Sequence, residues 1–109
     1  MTTVGGPSSD TLAGDIVTII IPSDGYYCAR FIPDKDGCAA VLDSFTRKNG
    51  IVGPLEKHRG VHKGDVLLEV NETSTMKLSH ADTIKLIEDK NTLRRVLKFV
   101  NSREYYRRK

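Results

Sequence analysis

No run in this chain approaches the roughly 20 consecutive apolar residues that cross a bilayer. The opening residues, MTTVGGPSSDT, have neither the basic n-region nor the apolar h-region of a secretory leader, so a cytoplasmic protein is expected. Cysteine is scarce. Cys28 and Cys38 each sit in an apolar, strand-like run, where a reduced thiol packs as a small hydrophobe, and no structural disulfide is expected. Neither sign of charge is in large excess: 17 basic side chains against 14 acidic ones leave +3, which fits a solvated surface and does not point to nucleic acid. The spacings CxxC and HExxH, a Gly-rich phosphate loop and a nucleophile elbow are all absent. Cys28, His80 and Asp82 are therefore not read as a thiol, base and orienting acid, nor Cys28, Cys38 and a histidine as zinc ligands. No enzyme, metal or cofactor is expected.

What remains is an ordinary globular composition, 39% hydrophobic and 28% charged over 109 residues, enough for one core and too little for two. Residues 1–14 are rich in Gly, Ser, Thr and Pro and read as a flexible lead-in, residues 15–101 as the domain, and 102–109 as a basic tail. The run DIVTIII, Asp15 to Ile21, is dense in β-branched residues and predicts a first strand. YYCARFI, Tyr26 to Ile32, alternates Tyr27, Ala29 and Phe31 against Cys28 and Arg30 and predicts a second. Asp36-Gly37 supplies a turn into a third, Cys38 to Phe45. Pro54 favours the first turn of a short helix, and DVLLEV, Asp65 to Val70, predicts a central strand with Val66, Leu68 and Val70 on one face. Ser79 as N-cap with Asp82 three residues on predicts a helix from His80 to about Asp89. TLRRVLKFV, Thr92 to Val100, closes the order as a last strand.

One span carries more than secondary structure: GPLEKHRGVHKGDVLLEVN from Gly53 to Asn71, followed by LSHADTIKLI from Leu78 to Ile87. A glycine-proline before a short helix, a Gly-Asp before an apolar strand ending Val-Asn, and a Ser-His opening the long helix resemble a PDZ domain, over about residues 15 to 101. The resemblance implies an α+β fold, a small partly open β-barrel or sandwich of five to six strands flanked by one short and one long helix. It also implies a function: an adaptor that binds the carboxy-terminal tail of a partner protein by strand addition between the second strand and the long helix.

The long helix is compatible with that role. Positions 80, 84 and 87 share one face and 83 and 86 an adjacent one, an apolar arc wider than a single core contact needs. All five can be core; with the resemblance, Thr83 and Leu86 are expected on the sheet and His80, Ile84 and Ile87 in the groove, with Arg30 and Phe31 on its strand side. The loop that receives the ligand carboxylate in the family, commonly Gly-Leu-Gly-Phe, corresponds to Gly25-Tyr26-Tyr27-Cys28-Ala29. Two registers are open, with the aromatic positions of the motif falling on Tyr26 and Cys28 or on Tyr27 and Ala29. The second is preferred, because it turns Tyr27, Ala29 and Phe31 inward and puts small Cys28 where the family has its inner glycine. The basic residue that many members carry just before this loop is replaced by Ser23 and Asp24. His80 stands at the family's specificity position, which implies a ligand ending Ser/Thr-X-hydrophobic. The alternative is a peripheral binder of anionic membrane through Arg94, Arg95 and Lys98 and the tail cations Arg103, Arg107, Arg108 and Lys109, with Tyr105 and Tyr106 at headgroup depth. A solvated basic tail is the preferred reading of those residues.

Overall fold

The computed structural model describes residues 16–22, 25–89 and 94–109. The segment 1–14 read as flexible lies outside the described residues, as do Asp15, Ser23, Asp24, Thr92 and Leu93. The strands are β1 (Val17–Pro22), β2 (Ala29–Ile32), β3 (Ala40–Phe45), β4 (Arg47–Lys48), β5 (Ile51–Val52), β6 (Val66–Val70), β7 (Thr73–Ser74) and β8 (Arg94–Val100). The helices are α1 (Pro54–His58), α2 (His80–Glu88) and α3 (Ser102–Arg108).

Six strands make one antiparallel sheet in the order β1-β8-β6-β3-β2, with β7 paired to β6, while β4 and β5 form a separate hairpin. The α+β class and the expected helices α1 and α2 are present. β2 starts later than expected, at Ala29 instead of Tyr26, because Cys28 adopts a positive φ of 56° that a pleated strand does not accommodate. Alternation buries Ile19 and Ile21 of β1 against Leu97 and Phe99 of β8, and Phe31, Leu42, Leu67, Val70 and Ile87 complete this main core.

The central strand departs from the simple alternation expected of it. Leu67 pairs with Phe99 and Glu69 with Lys98, so Leu68 is an extra residue, a β-bulge, and the inward face changes across it. Val70 consequently joins Leu67 in the main core, whereas Val66 and Leu68 point to the other side, into a second core with Ala39, Val100 and Tyr105.

That second core needs a cover, and residues 102–109 supply it. Expected as a solvated tail, they form α3, whose N-cap Asn101 accepts from the Glu104 amide at 2.8 Å. Tyr105 is wholly buried against the sheet. Its hydroxyl donates to Asp34 at 2.6 Å, and the Lys109 ammonium donates to the same carboxylate and to Asp36. Asp34 also accepts from the amides of Asp36 and Cys38, both at 2.8 Å, and so shapes the β2–β3 turn in which Gly37 takes a φ of 82°. Glu104 accepts from Arg107 and Arg108.

Burial opposes the charge of Asp34, but the bonds from Lys109, Tyr105, Cys38 and Asp36 outweigh it and hold the carboxyl well below the usual carboxylate range. The hydrogen bonds from Arg107 and Arg108 lower Glu104 to about 2. Both carboxyls are depressed in the folded state. Their stabilisation is therefore complete above the unfolded values of roughly 4 and is lost as pH falls toward the folded ones. Urea midpoints should fall between about pH 5 and pH 2, and D34N should show a flatter profile across that window. An identical acid limb in D34N would remove Asp34 from this account.

Candidate functional site

The site is built from the edge of the sheet. β2 is the last strand in the order, so one edge of Ala29–Ile32 has no strand partner among the described residues. α2 runs beside it, because one end is tied to the turn after β2 and the other to the loop before it. At the start, Ser79 bridges Cys38, the His80 amide donates to Gly37 O at 3.0 Å, and Ser79 caps the helix by accepting from the Asp82 amide at 3.1 Å. At the end, the Tyr27 hydroxyl donates to Glu88 at 3.1 Å. From His80 to Glu88 the helix rises about 12 Å, the reach of about four extended residues.

The loop from Gly25 to Ala29 closes one end. Tyr27 and Ala29 are half-buried against the main core, and Tyr27 lies 5.8 Å from the Phe31 ring between centroids, while Tyr26 is exposed under the Lys48 ammonium at 4.3 Å. Burial first, and then the bond and the charge of Glu88, push the Tyr27 phenol up to about 12. Cys28 sits in the left-handed conformation, its carbonyl accepting from the Thr46 amide at 2.9 Å. A Cβ on Gly53 would lie 2.3 Å from that of Cys28, so only glycine allows the chain before α1 to pass this close to the loop. Among the described residues, nothing accepts from the backbone N–H groups of Tyr27 and Cys28. Successive amides left open around a left-handed residue form a concavity suited to an anion. A cavity of about 500 Å³ adjoins the loop, lined by Gly25 to Ala29 and by Thr46, Arg47, Lys48, Glu88 and Arg95.

The other expected residues fall in different places. His80 opens α2, and its Nδ1 lies 2.8 Å from Ala39 O. A carbonyl only accepts, so Nδ1 carries the proton, and in the neutral ring Nε2 is left as an acceptor. Ile84 is half-buried. Ile87 is not half-exposed as expected: it is fully enclosed in the main core, with Thr83, while Leu86 is the partly covered residue. The i, i+4 pair Thr83 and Ile87 faces the sheet, which turns Leu86 off that face. Phe31 is buried at the groove wall, and Arg30 is exposed, 3.5 Å from Asp43. Cys28, His80 and Asp82 do not hydrogen-bond one another; His80 is engaged by Ala39 and Asp82 lies 4.0 Å from Lys85.

Two residues that the sequence reading missed frame the loop. Glu88 holds Tyr27, and Arg95, expected among outward-facing cations, is 1% exposed. Its guanidinium donates to Ile87 O at 2.8 Å, to Pro22 O at 2.8 Å and to Gly25 O. Strand alternation carries the signal for it, since Arg95 shares its face with Leu97 and Phe99. The basic surface expected of the last strand and tail is also largely consumed: Lys98 lies 3.9 Å from Glu69, Arg107 and Arg108 pair with Glu104, and Lys109 with Asp34 and Asp36. No helix among the described residues is long and apolar enough to cross a membrane.

No family model matches the sequence, and no curated protein matches it. Among solved structures, the chain is similar to a choanoflagellate GIPC PDZ domain bound to a GAIP peptide, with a TM-score of 0.60 at 15% sequence identity, over 81% of this chain and 91% of that one.

Proposed function

We propose that this chain, which has the PDZ fold, is a non-catalytic module that captures the carboxy-terminal tail of a partner protein by adding it as a strand to β2. The observation that carries the reading is the unpaired edge of β2 running into a loop whose Tyr27 and Cys28 amides have no acceptor among the described residues. Main-chain pairing along β2 supplies affinity for any extended segment, and the loop amides select one that ends in a carboxylate. The final side chain lies among Tyr27, Ala29 and Ile84. Titration of fluorescent peptides with free and amidated ends tests the reading, because equal affinity of the two forms would remove the carboxylate from it.

His80 sets the preference at the third-from-last ligand position. With its proton on Nδ1, the ring accepts at Nε2 from a Ser or Thr hydroxyl. Replacing that residue of the peptide by Ala should weaken binding several-fold to tenfold, the range for loss of one hydrogen bond worth about 0.5 to 1.5 kcal/mol. His80→Ala should erase the difference between the two peptides. Anisotropy titrations that give unchanged selectivity in His80→Ala would sink this assignment.

A further inference from the structure

The loop lacks the basic residue that PDZ domains commonly place before it, yet one cation lies beneath it. Arg95 comes from the last strand and is 1% exposed. It has no carboxylate within ion-pair distance among the described residues. Three of its hydrogen bonds go to backbone carbonyls, those of Pro22 and Gly25 on the loop side and that of Ile87 in the last turn of α2. Its Nε is buried without an acceptor. An arginine in such a setting is costly: a cation taken out of water is ordinarily offset by a counter-ion, and every buried donor by a partner. The side chain also lines the cavity beside Gly25 to Ala29.

We propose, resting on the peptide-binding reading above, that Arg95 is the positioning residue of the carboxylate end. It also supplies the positive charge that a basic residue before the loop supplies in the family. The mechanism is geometric first. The guanidinium clamps the carbonyls of Pro22 and Gly25 together and so fixes the backbone at the start of the loop. With Gly25 held by Arg95 and the Cys28 carbonyl by the Thr46 amide, the loop is fixed at both ends and the Tyr27 and Cys28 amides between them are left for an anion. Through Ile87 O, the same guanidinium fixes the end of α2, so one side chain sets the spacing of both groove walls. The second effect is electrostatic: a ligand carboxylate at the loop provides the negative charge that the buried guanidinium lacks.

The test compares free-acid and amidated forms of one peptide ending Ser/Thr-X-hydrophobic, titrated by anisotropy into wild type, R95K and R95Q, with a melting curve for each protein. Wild type should prefer the acid by roughly tenfold or more, the scale of a hydrogen bond to a charged group. In R95Q the acid-to-amide ratio should fall toward one. R95K keeps the charge but offers a point donor in place of a fork, and should retain part of the preference. A folded R95Q that keeps the full ratio overturns the proposal. Equal weakening of both peptides also overturns it, because that is what a merely structural arginine gives. An absent acid preference in wild type would instead overturn the peptide-binding reading itself, and this proposal with it. If neither variant folds, the Arg95 Nε–H resonance of the wild-type protein decides. A shift on adding the acid peptide but not the amide supports the proposal, and the same response to both, or none, overturns it.

Discussion

Tyr105→Ala should destabilise the domain by about 3 to 5 kcal/mol, the range for truncating a fully buried aromatic to Ala. The side chain is wholly covered, it closes the second core over Ala39, Val66, Leu68 and Val100, and its hydroxyl is bonded to a buried carboxylate. A change that size is a large share of the stability of a small domain. Tyr105→Phe separates the two contributions: it keeps the packing and removes the bond to Asp34, and should cost about 1.5 to 3 kcal/mol, as bonds to charged groups do. Urea denaturation of both variants, with the slope checked for constancy, provides the measurement. A Tyr105→Ala protein as stable as wild type would mean that α3 is an ornament on the sheet.

Ile87→Ala should also unfold more than it unbinds. With no exposed surface and a place in the main core, Ile87 should cost about 2 to 5 kcal/mol on truncation. Ile84→Ala is the contrasting variant, since Ile84 is half-buried on the same helix; it should lose less stability and more peptide affinity. Melting curves and anisotropy on the same two proteins give the comparison. The reverse order of the two stabilities would place α2 in a different rotation about its axis.

The contrast between these isoleucines shows what was legible in the sequence. Period and capping located α2 to within a residue at each end, because Ser79 and the apolar spacing are local signals. Which of residues 83, 84, 86 and 87 faces inward depends on how the helix docks, and the 3.6-residue period leaves that rotation open across a wide apolar arc. The bulge at Leu68 was hidden for a similar reason: DVLLEV reads as an alternating strand, and only pairing with β8 reveals the extra residue. α3 was masked by composition. Its charged residues suggested solvent, although Asn101 with Glu104 three residues on is a helix-start signature, and Arg107 and Arg108 answer Glu104 one turn later. Arg95 was grouped by charge with Arg94, when alternation with Leu97 and Phe99 already set it on the inward face. The bend at Cys28 was hidden too: YYCARFI reads as one alternating strand, and only the fold shows the left-handed residue that delays the strand to Ala29.

The position of β1 has a consequence for how the chain acquires its structure. β1 sits at the end of the strand order and, among the described residues, pairs with β8, with Val17 opposite Phe99 and Ile21 opposite Arg95. Arg95 then fastens Pro22, 73 positions away, and Lys109 reaches Asp34, 75 positions away. About two thirds of the length must be spanned before these contacts form, so the entropy of closing that long loop comes due early and the rewards arrive late. Folding should be slow for a domain this small, in the range of milliseconds to seconds. On a ribosome, β1 and the loop would wait unpaired until β8 had emerged. The loop from Gly25 to Ala29 would thus be anchored late, and a chain stalled before β8 would expose the apolar residues of β1 to every passing chaperone.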